Sequence, residues 1–538
     1  MIREITPDHR RQILGAGSKG LEAVERETWD ACVIGSGPGG AVTAATLAEA
    51  GWRVLLVERG PFRSPDEFNF RVLDMSSRLS HAELTSGARS ALLQGNGLGG
   101  SSLVFGAVAM KPPHFILDEW RHVSGAAHFD EAVLASHYQH VGNVLSVTRQ
   151  SPSKETRSNA IVREMATALG CPEGLELVHR YTRGCAGMGL CNLGCGLNLK
   201  GTMTNSFLPL ALDTGRLTVL TECEAAGFNG SSAAGEFRGS SLATEVRHFE
   251  TRRLVCRPRI KARVFVLAAG AFFSSALLMR TRGLAWARAG HKIWLQPHAQ
   301  IFALFDSKVT GRGVWEGDRY LPYNGVPAIY NFTGMMREHR YFWLASTLFP
   351  ASLATWTSHL PPDEHLALMR RFHYVSSVTI TIRDDPERSR VVMREGPQLD
   401  FRESRQDREA VRRCFRDAAR AFLAVGARRV LLPMLDPPSI EREADLRALD
   451  RLDLSYDRLL LYSDHTSGGL SCGSDVTRGA TDSEGRLFGT TNIYVADSSV
   501  FPSACGVNPS WTIMALSHRM ASRLAAGGLR GSATDAYN

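Results

Sequence analysis

The chain has 538 residues, long enough for more than one hydrophobic core, and its content of 44% hydrophobic and 22% charged residues excludes bulk disorder. Its formal net charge of +8 is modest for this length and its arginines are scattered, which argues against binding to nucleic acid. The longest apolar run, Val264 to Phe273, is too short to span a membrane.

The amino-terminal segment, residues 1–28, reads as a polar arm with one short helix. Its charged start, MIREITPDHRRQ, lacks the apolar stretch of a signal peptide, which predicts a cytoplasmic protein. Most of the ten cysteines are dispersed along the chain, as expected in a reducing compartment.

A dinucleotide-binding motif follows this arm. Residues 30–34 have the apolar character of a buried strand, glycines follow at positions 35, 37 and 40, and an alanine-rich helix is predicted from about residue 39 to residue 50. Gly35 permits the tight turn, Gly37 lets the backbone approach a pyrophosphate, and Gly40 lets the helix pack closely on the sheet. The less specific interpretation is an ordinary glycine-rich loop.

The second strand of this motif, residues 52–58, ends in an acidic residue about twenty positions after the glycines. The carboxylate of Glu58 is therefore predicted to accept hydrogen bonds from the ribose hydroxyls of an adenosine group. The local motif alone does not distinguish FAD from NAD.

A second glycine cluster occupies residues 95–102 and includes Gly99, Gly100 and Ser101. Backbone that passes close to a flat ring or a phosphate has this composition, and so does a simple glycine-rich turn.

Three cysteines lie close together in the sequence, at Cys185, Cys191 and Cys195. Three thiols without a fourth ligand at fixed spacing are an incomplete zinc or iron-sulfur site. The favoured interpretation is a glycine-rich loop with small packed thiols, and no metal is predicted.

The middle of the chain indicates two kinds of sheet. Apolar strands over residues 217–223 and 263–270, the latter followed by a helix at 274–280, are typical of a parallel sheet. Residues 378–382 alternate with period two and are predicted to form an antiparallel hairpin with residues 390–393. A helix follows from residue 411 to residue 422.

These elements predict an α/β protein with a discontinuous Rossmann-like nucleotide-binding domain and an inserted α+β substrate domain that contains an antiparallel sheet. After the arm, the nucleotide-binding domain is assigned to residues 29–125, 200–300 and 456–530. The substrate or cap domain is assigned to residues 126–199 and 301–455, with soft boundaries.

The carboxyl-terminal part carries the candidate reaction centre. His465 precedes a Gly-Gly loop, and an imidazole has the near-neutral pKa that suits a base in alcohol oxidation. Asn508 followed by Pro509 predicts the N-cap and first residue of a helix, whose N-terminus favours negative charge.

Several of these segments, in this order, resemble the glucose-methanol-choline (GMC) oxidoreductases. The resemblance rests on the first glycine motif, Gly97-Leu-Gly-Gly-Ser-Ser102, Val266-Leu-Ala-Ala-Gly-Ala271, Leu295-Gln-Pro-His298, Asn492 to Pro502, and Gly506 to Leu516. It implies FAD, an alcohol substrate, His465 as base and Asn508 as the residue that orients the hydroxyl. The motif style is similar to the branch of cholesterol, long-chain alcohol and aminoglycoside oxidases.

The resemblance also implies which residues bind FAD: Gly35, Gly37, Gly40, Glu58, Gly99, Gly100, Ser101, Asp497, Asn508 and Pro509. Some relatives attach the flavin covalently through a histidine where this chain has Val104, so non-covalent FAD is predicted. Phe105 stands where many relatives have an asparagine, which leaves oxygen or another electron acceptor open.

The sequence leaves the substrate open between a primary hydroxyl of a sugar or aminoglycoside and the hydroxyl of a sterol or long-chain alcohol. Two other functions remain as alternatives, a GMC-type lyase without net redox change and a non-catalytic flavin-binding protein.

Overall fold

A computed structural model describes residues 3–69, 71–85, 90–281, 288–306, 325–346 and 348–527. Parts of the predicted domains, residues 70, 86–89, 282–287, 307–324, 347 and 528–530, therefore lie outside the described residues. The α-helices are Pro7–Arg10, Leu21–Arg26, Pro38–Glu49, Val72–Leu79, His114–Ser124, Glu131–Leu145, Arg157–Ala168, Phe207–Asp213, Ala271–Arg280, Met336–His339, Pro350–Trp356, Pro362–Arg370, Arg405–Ala424 and Ser510–Gly527.

The first large sheet has a parallel half that carries the glycine motif. Its strands are, in spatial order, Ile13–Leu14, Leu217–Leu220, Val54–Val57, Thr28–Ile34, Arg259–Leu267, Glu236–Arg247 and Cys223–Ala233, with Leu254–Cys256 and Ile493–Val495 paired at the side. Val33 lies between Leu56 and Val266 in parallel register. Strand Val54–Val57 and residues 31–34 of the neighbouring strand are apolar on both faces, because both faces are buried.

The amino-terminal arm is more than a polar helix. It forms two short helices and the strand Ile13–Leu14, which pairs in parallel with Val219–Leu220 at the edge of this sheet. The pairing is made by backbone groups across more than two hundred positions, which the sequence of the arm alone does not reveal.

The second large sheet is predominantly antiparallel. Its strands are, in spatial order, Ser80–Leu84, Ala91–Gly95, Tyr462–Ser463, His298–Phe305, Val375–Ile382, Tyr341–Ala345, Tyr330–Phe332 and Leu175–Leu177, and Ala427–Leu431 pairs with His298–Phe305. The predicted helix is observed as Arg405–Ala424, and its apolar side contributes Phe415 and Phe422 to the core beneath this sheet.

One predicted hairpin is wrong. Strand Val375–Ile382 does not pair with Arg388–Met393, which belongs to a separate four-stranded sheet of order Pro397–Arg402, Arg388–Met393, His291–Trp294 and Ser467–Gly469. The turn after Ile382 leads the chain away from the second large sheet, and the buried carboxylate of Asp384 in this turn binds the backbone amides of Leu295 and Gln296.

The predicted division at residue 126 separates elements that share one core. Helix Glu131–Leu145 packs against the carboxyl-terminal helix, where the Tyr138 hydroxyl lies 2.9 Å from Thr512 Oγ1 and the Trp511 ring contacts the Tyr138 ring edge to face. A three-stranded sheet of Val108–Ala109, His179–Tyr181 and Val147–Arg149 lies beside them.

Within the described residues, no helix is both long and apolar enough to cross a membrane.

Candidate active site

A cavity of about 580 Å³ joins the glycine motif to the carboxyl-terminal segment. Its walls include most of the residues predicted to bind the cofactor or substrate: Gly35, Gly37, Glu58, Gly100, Ser101, Asp497, His465, Asn508 and Pro509. The fold thus brings together side chains that are more than four hundred positions apart in the sequence.

The two glycine clusters form one wall of the cavity. Gly35 has a φ of +104°, and a β-carbon there would lie 2.4 Å from Ala268 O. A β-carbon on Gly37 would meet no atom within 4 Å, whereas one on Gly100 would lie 2.7 Å from Gly37 Cα. The backbones therefore pack against each other and leave open space in front of Gly37, where a pyrophosphate fits.

Gly40 and Gly99 support this wall without lining it. A β-carbon on Gly40 would lie 1.8 Å from Gly35 O, and the amide of Gly99 donates to Ser36 Oγ over 2.9 Å. Ser101 Oγ accepts from the amide of Gly95 at 3.0 Å. These contacts set the shape of the two loops before any ligand binds.

Glu58 lies at the end of its strand, buried beside the first glycine loop. Its carboxylate accepts from Ser36 Oγ at 2.5 Å and from the amides of Ser36 and Gly60 at 3.1 and 2.7 Å. The carboxylate is held in a defined position at the cavity wall, as a ribose ligand requires. Ser36, which links Glu58 to the second glycine loop, was missed by the sequence analysis.

Asp497 connects the carboxyl-terminal segment to the central strand. Its carboxylate accepts from the amide of Gly270 at 2.9 Å, from Ser274 Oγ at 2.6 Å and from the amide of Ser499 at 2.9 Å. Burial raises the pKa of Asp497, and these hydrogen bonds oppose that increase. The Asp497 carboxylate is thereby held in a fixed position in the cavity wall.

The carboxyl-terminal wall of the cavity is built around His465, whose side chain is 9% exposed. Its Nδ1 lies 2.8 Å from Gln296 Nε2, and its Nε2 lies 3.1 Å from Asn508 Nδ2. Gln296 is fixed in turn, because its Oε1 accepts from the amide of Gly506 at 2.7 Å and its Nε2 donates to Val507 O at 3.0 Å.

These contacts assign the proton of His465. The Gly506 amide and the Val507 carbonyl fix the orientation of the Gln296 amide, so Gln296 donates to Nδ1 and the neutral imidazole carries its proton on Nε2. Burial lowers the pKa of His465 to about 3, although Asp464 opposes this shift. The resting side chain is therefore a neutral donor at Nε2. Because Asn508 Nδ2, 3.1 Å away, is also a donor, the two form no hydrogen bond with each other and both can donate to a substrate oxygen.

Asn508 does not act as the predicted N-cap. The helix begins at Ser510, with the amide of Ile513 bonded to Pro509 O, and the Asn508 side chain turns to His465 instead. Asn508 Oδ1 is buried with no hydrogen-bond partner among the described residues. A buried amide oxygen without a hydrogen-bond donor destabilises the folded protein unless a ligand or water supplies that donor. Asn508 therefore fits a ligand-binding role.

Two further residues surround His465. Asp464 Oδ1 lies 2.8 Å from His298 Nε2 and 3.6 Å from His465 Nε2, and the Asp464 side chain is 43% exposed within the cavity. Burial would raise the pKa of Asp464, but the two imidazoles hold it well below its ordinary value. Asp464 is therefore an anion next to Nε2 of His465.

The three residues His298, Asp464 and His465 place metal-ligand atoms within 4.8 Å of one another. We assign them to hydrogen bonding, since Nε2 of His465 carries a proton. Cys185, Cys191 and Cys195 do not form such a group in the described part of the chain. Cys191 instead packs against Arg180, whose Nη2 lies 3.2 Å from its Sγ.

A second buried carboxylate lies behind Gln296. Asp384 accepts from the amides of Leu295 and Gln296 at 2.9 and 2.8 Å. Burial and the neighbouring Asp407 raise the pKa of Asp384 to about 7. The sequence signal for this arrangement is the Leu295–His298 motif, for whose residues no role was predicted.

The fold and the cavity define a flavoprotein of the Rossmann-like class, with a nucleotide cradle and a separate substrate-facing wall. The GMC oxidoreductase amino-terminal domain matches residues 30–297 and its carboxyl-terminal domain matches residues 376–517. The chain belongs to the GMC oxidoreductase family, and it is an FAD-dependent alcohol oxidoreductase.

Curated relatives are distant. The long-chain-alcohol oxidase FAO3 of Arabidopsis thaliana is 26% identical over 94% of this chain and 70% of its own length. A cholesterol oxidase of Mycobacterium tuberculosis (strain CDC 1551 / Oshkosh) is 29% identical over 47% of this chain and 48% of its own length.

Two solved structures share the fold. Pyridoxine 4-oxidase from Mesorbium loti has a TM-score of 0.68 at 17% identity, and it covers 93% of this chain and 99% of its own. Formate oxidase from Aspergillus oryzae RIB40 has a TM-score of 0.66 at 14% identity, with coverage of 94% and 99%. They confirm the predicted α/β fold class with a Rossmann-like FAD-binding domain and a substrate domain.

Proposed function

We propose that the protein oxidises an alcohol hydroxyl to an aldehyde or ketone, with the hydroxyl oxygen held between His465 and Asn508. The observation that carries this proposal is the pair of polar atoms at the cavity wall: His465 Nε2 lies 3.1 Å from Asn508 Nδ2, and Asn508 Oδ1 is buried without a partner. A hydroxyl group both donates and accepts, so it can satisfy both side chains.

FAD bound along the two glycine clusters would supply the hydride acceptor, the flavin N5. The open space before Gly37 and the carboxylate of Glu58 suit its diphosphate and ribose. Val104 has no nucleophilic atom to bond the flavin, which supports non-covalent FAD at this position. The start of the carboxyl-terminal helix lines the same cavity and favours negative charge there.

In the proposed reaction, the hydroxyl proton is transferred to the group formed by His298, Asp464 and His465. The predicted base is His465, whose proton lies on Nε2 in the substrate-free state, so base catalysis requires the other tautomer. Asp464 supplies the negative charge of the cluster, 3.6 Å from that nitrogen. Gln296 therefore controls which role His465 takes toward the hydroxyl.

The proposed substrate class is a primary alcohol of a sugar or aminoglycoside. The cavity near His465 presents hydrogen-bond acceptors, the Asp464 carboxylate and the unpaired Gln300 Oε1, which suit ammonium and hydroxyl donors. Trp356 and Tyr462, with ring centroids 5.4 Å apart, add aromatic faces that bind sugars or cations.

A long-chain or sterol alcohol is the second candidate. The printed names of the relatives include long-chain-alcohol oxidases and a cholesterol oxidase. Leu344 and Phe349 line the same cavity with apolar surface. The Asp464 anion that faces the cavity favours the first candidate, because an apolar chain offers no donor to compensate it.

An anaerobic screen for flavin bleaching tests both the proposed oxidation and the proposed substrate class. The FAD-loaded protein is mixed without oxygen with aminohexanol, heptanol, amino sugars and a sterol, and the flavin absorbance is recorded. Bleaching by any alcohol supports oxidation, and a preference for aminohexanol over heptanol supports the donor-rich substrate class. If none of these alcohols bleaches the flavin, the oxidation proposal fails for them all.

Admitting oxygen to the bleached protein then identifies the electron acceptor. Rapid recovery of the colour with stoichiometric peroxide indicates an oxidase. Slow recovery that an artificial electron acceptor accelerates indicates a dehydrogenase.

A further inference from the structure

Two buried cations contact the segment that lines the cavity at Val104, Phe105 and Gly106, and one of them, Arg180, also lines the cavity. Lys200 is 1% exposed and Arg180 is 0% exposed. Neither forms an ion pair with a carboxylate within the described residues, and their polar partners are carbonyl groups and one thiol.

Lys200 holds the backbone of this segment and of the residue before it. Its Nζ donates to Leu103 O at 2.7 Å, to Phe105 O at 3.3 Å and to Cys191 O at 2.5 Å. The same ammonium lies 5.2 Å from the centroid of the Phe105 ring. The backbone that faces the cavity is therefore held from behind by a charged group.

Arg180 holds the next residue of the segment. Its Nη2 donates to Gly106 O at 2.7 Å, and its Nη1 donates to Pro327 O. Cys191 links the two cations, because its Sγ contacts Arg180 and its carbonyl accepts from Lys200. The two cations thus act on one short stretch of backbone.

Burying a cation without a carboxylate is unfavourable, and burial lowers the pKa of Lys200 to about 8. Carbonyl groups solvate such a charge without neutralising it. Its field therefore extends into the cavity, where low dielectric makes it stronger than in water. A flavin that lies on this segment gains negative charge when it is reduced.

We propose that Lys200 and Arg180 are positioning residues that hold the flavin-facing segment and raise the reduction potential of bound FAD through their uncompensated positive charge. The inference depends on FAD occupying the cavity but not on the identity of the alcohol. The proposed effect on the reduction potential can therefore be disproved without disproving alcohol oxidation, and alcohol oxidation can be disproved without disproving the effect on the potential.

The test uses the FAD-loaded protein and two measurements that need no substrate, the flavin midpoint potential and the affinity for sulfite, which adds to flavin as an anion. Lys200→Met keeps the length of the side chain and removes the charge. We expect the sulfite dissociation constant to rise at least about 10-fold and the midpoint potential to fall by about 30 mV, the equivalent of a tenfold change for a two-electron couple.

Lys111→Met is the matched control. The Lys111 ammonium lies over the Tyr138 and Trp511 rings, 5.0 and 5.6 Å from their centroids, and is not among the residues that line the cavity. This variant should keep the wild-type potential and sulfite affinity. An equal shift in both lysine variants would overturn a specific role for Lys200.

A second pair of variants keeps the proposal testable if Lys200→Met does not fold. Arg180→Lys retains the charge and Arg180→Met removes it, so only the second should lower the potential and weaken sulfite binding. Unchanged values in a charge-removing variant that retains FAD would reject the electrostatic role.

Discussion

The two walls of the cavity are built in different ways. The amino-terminal wall is made mainly of backbone, with glycines at Gly35, Gly37 and Gly100 that leave room for a ligand. The carboxyl-terminal wall is made of side chains, in which Gln296 donates to Nδ1 of His465 and Asn508 lies beside Nε2. In the proposed function, the first wall binds FAD and the second contacts the alcohol.

The largest expected effect is on FAD binding, and it comes from a substitution in the first wall that leaves folding intact. A β-carbon on Gly37 points into open space, so Gly37→Leu should fold but fill the cofactor site, and FAD affinity should fall at least about 100-fold. Flavin absorbance after dialysis, together with circular dichroism, measures both quantities. Gly17→Leu, also in open space but not lining the cavity, is the control.

Gly40→Leu provides the contrast within the same wall. Its β-carbon would lie 1.8 Å from Gly35 O, so this variant should lose folding stability as well as FAD. If Gly37→Leu instead keeps bound FAD, the glycine wall does not hold the cofactor as assigned.

The next effect belongs to the second wall. His465→Ala should retain FAD, because His465 belongs to the opposite wall, but should slow flavin reduction at least about 100-fold through loss of the group that contacts the hydroxyl. Rapid anaerobic mixing gives the rate. His122→Ala, an exposed histidine, should be unaffected. Wild-type reduction in His465→Ala would show that the reaction does not use this side chain.

A smaller effect tests the positioning of His465. Gln296→Leu removes the donor to Nδ1 and leaves the Gly506 amide and Val507 carbonyl unpaired. Flavin reduction should slow about 10-fold, and the free energy of unfolding should fall by about 1–3 kcal/mol. Nitrogen NMR of labelled histidine should report Nε2–H in the wild type and a mixture of tautomers in the variant.

Gln12→Leu is the control for that change. It removes a 3.2 Å hydrogen bond to Leu212 O far from the cavity and should leave the rate unchanged. Persistence of a single Nε2–H tautomer in Gln296→Leu would contradict the assigned role of Gln296.

The smallest effect concerns pH. The pKa of Asp384 rises from 3.8 to about 7 on folding, so the folded state binds its proton more tightly than the unfolded state. Its contribution to stability is complete below about pH 4 and is lost as pH rises through about 7. Asp384→Asn should reduce the decrease in Tm between pH 4 and pH 7.

Asp363→Asn, at an exposed position, should keep the wild-type pH dependence. The raised pKa of Asp407 acts in the same direction, so part of the slope should remain in Asp384→Asn. An identical slope in that variant and the wild type would contradict the assignment of the effect to Asp384.

The first wall was largely predictable because its signals are local. The strand, the glycines and Glu58 follow one another within about thirty positions, and their spacing reflects turn and helix geometry. The hairpin of residues 378–393 was wrong for the opposite reason, since alternation indicates a strand but not its partner. The cysteine pattern likewise gave no sign that Cys191 would contact Arg180.

By itself, the sequence determined the dinucleotide-binding motif, the family resemblance and the candidates His465 and Asn508, because each is carried by a short motif with its own geometry. Only the tertiary structure decided that Gln296 orients His465, that Asp464 and His298 lie beside it, and that Lys200 and Arg180 contact the backbone at the cavity wall. These contacts join distant elements, and hydrogen bonds between distant elements leave no periodic pattern in the chain.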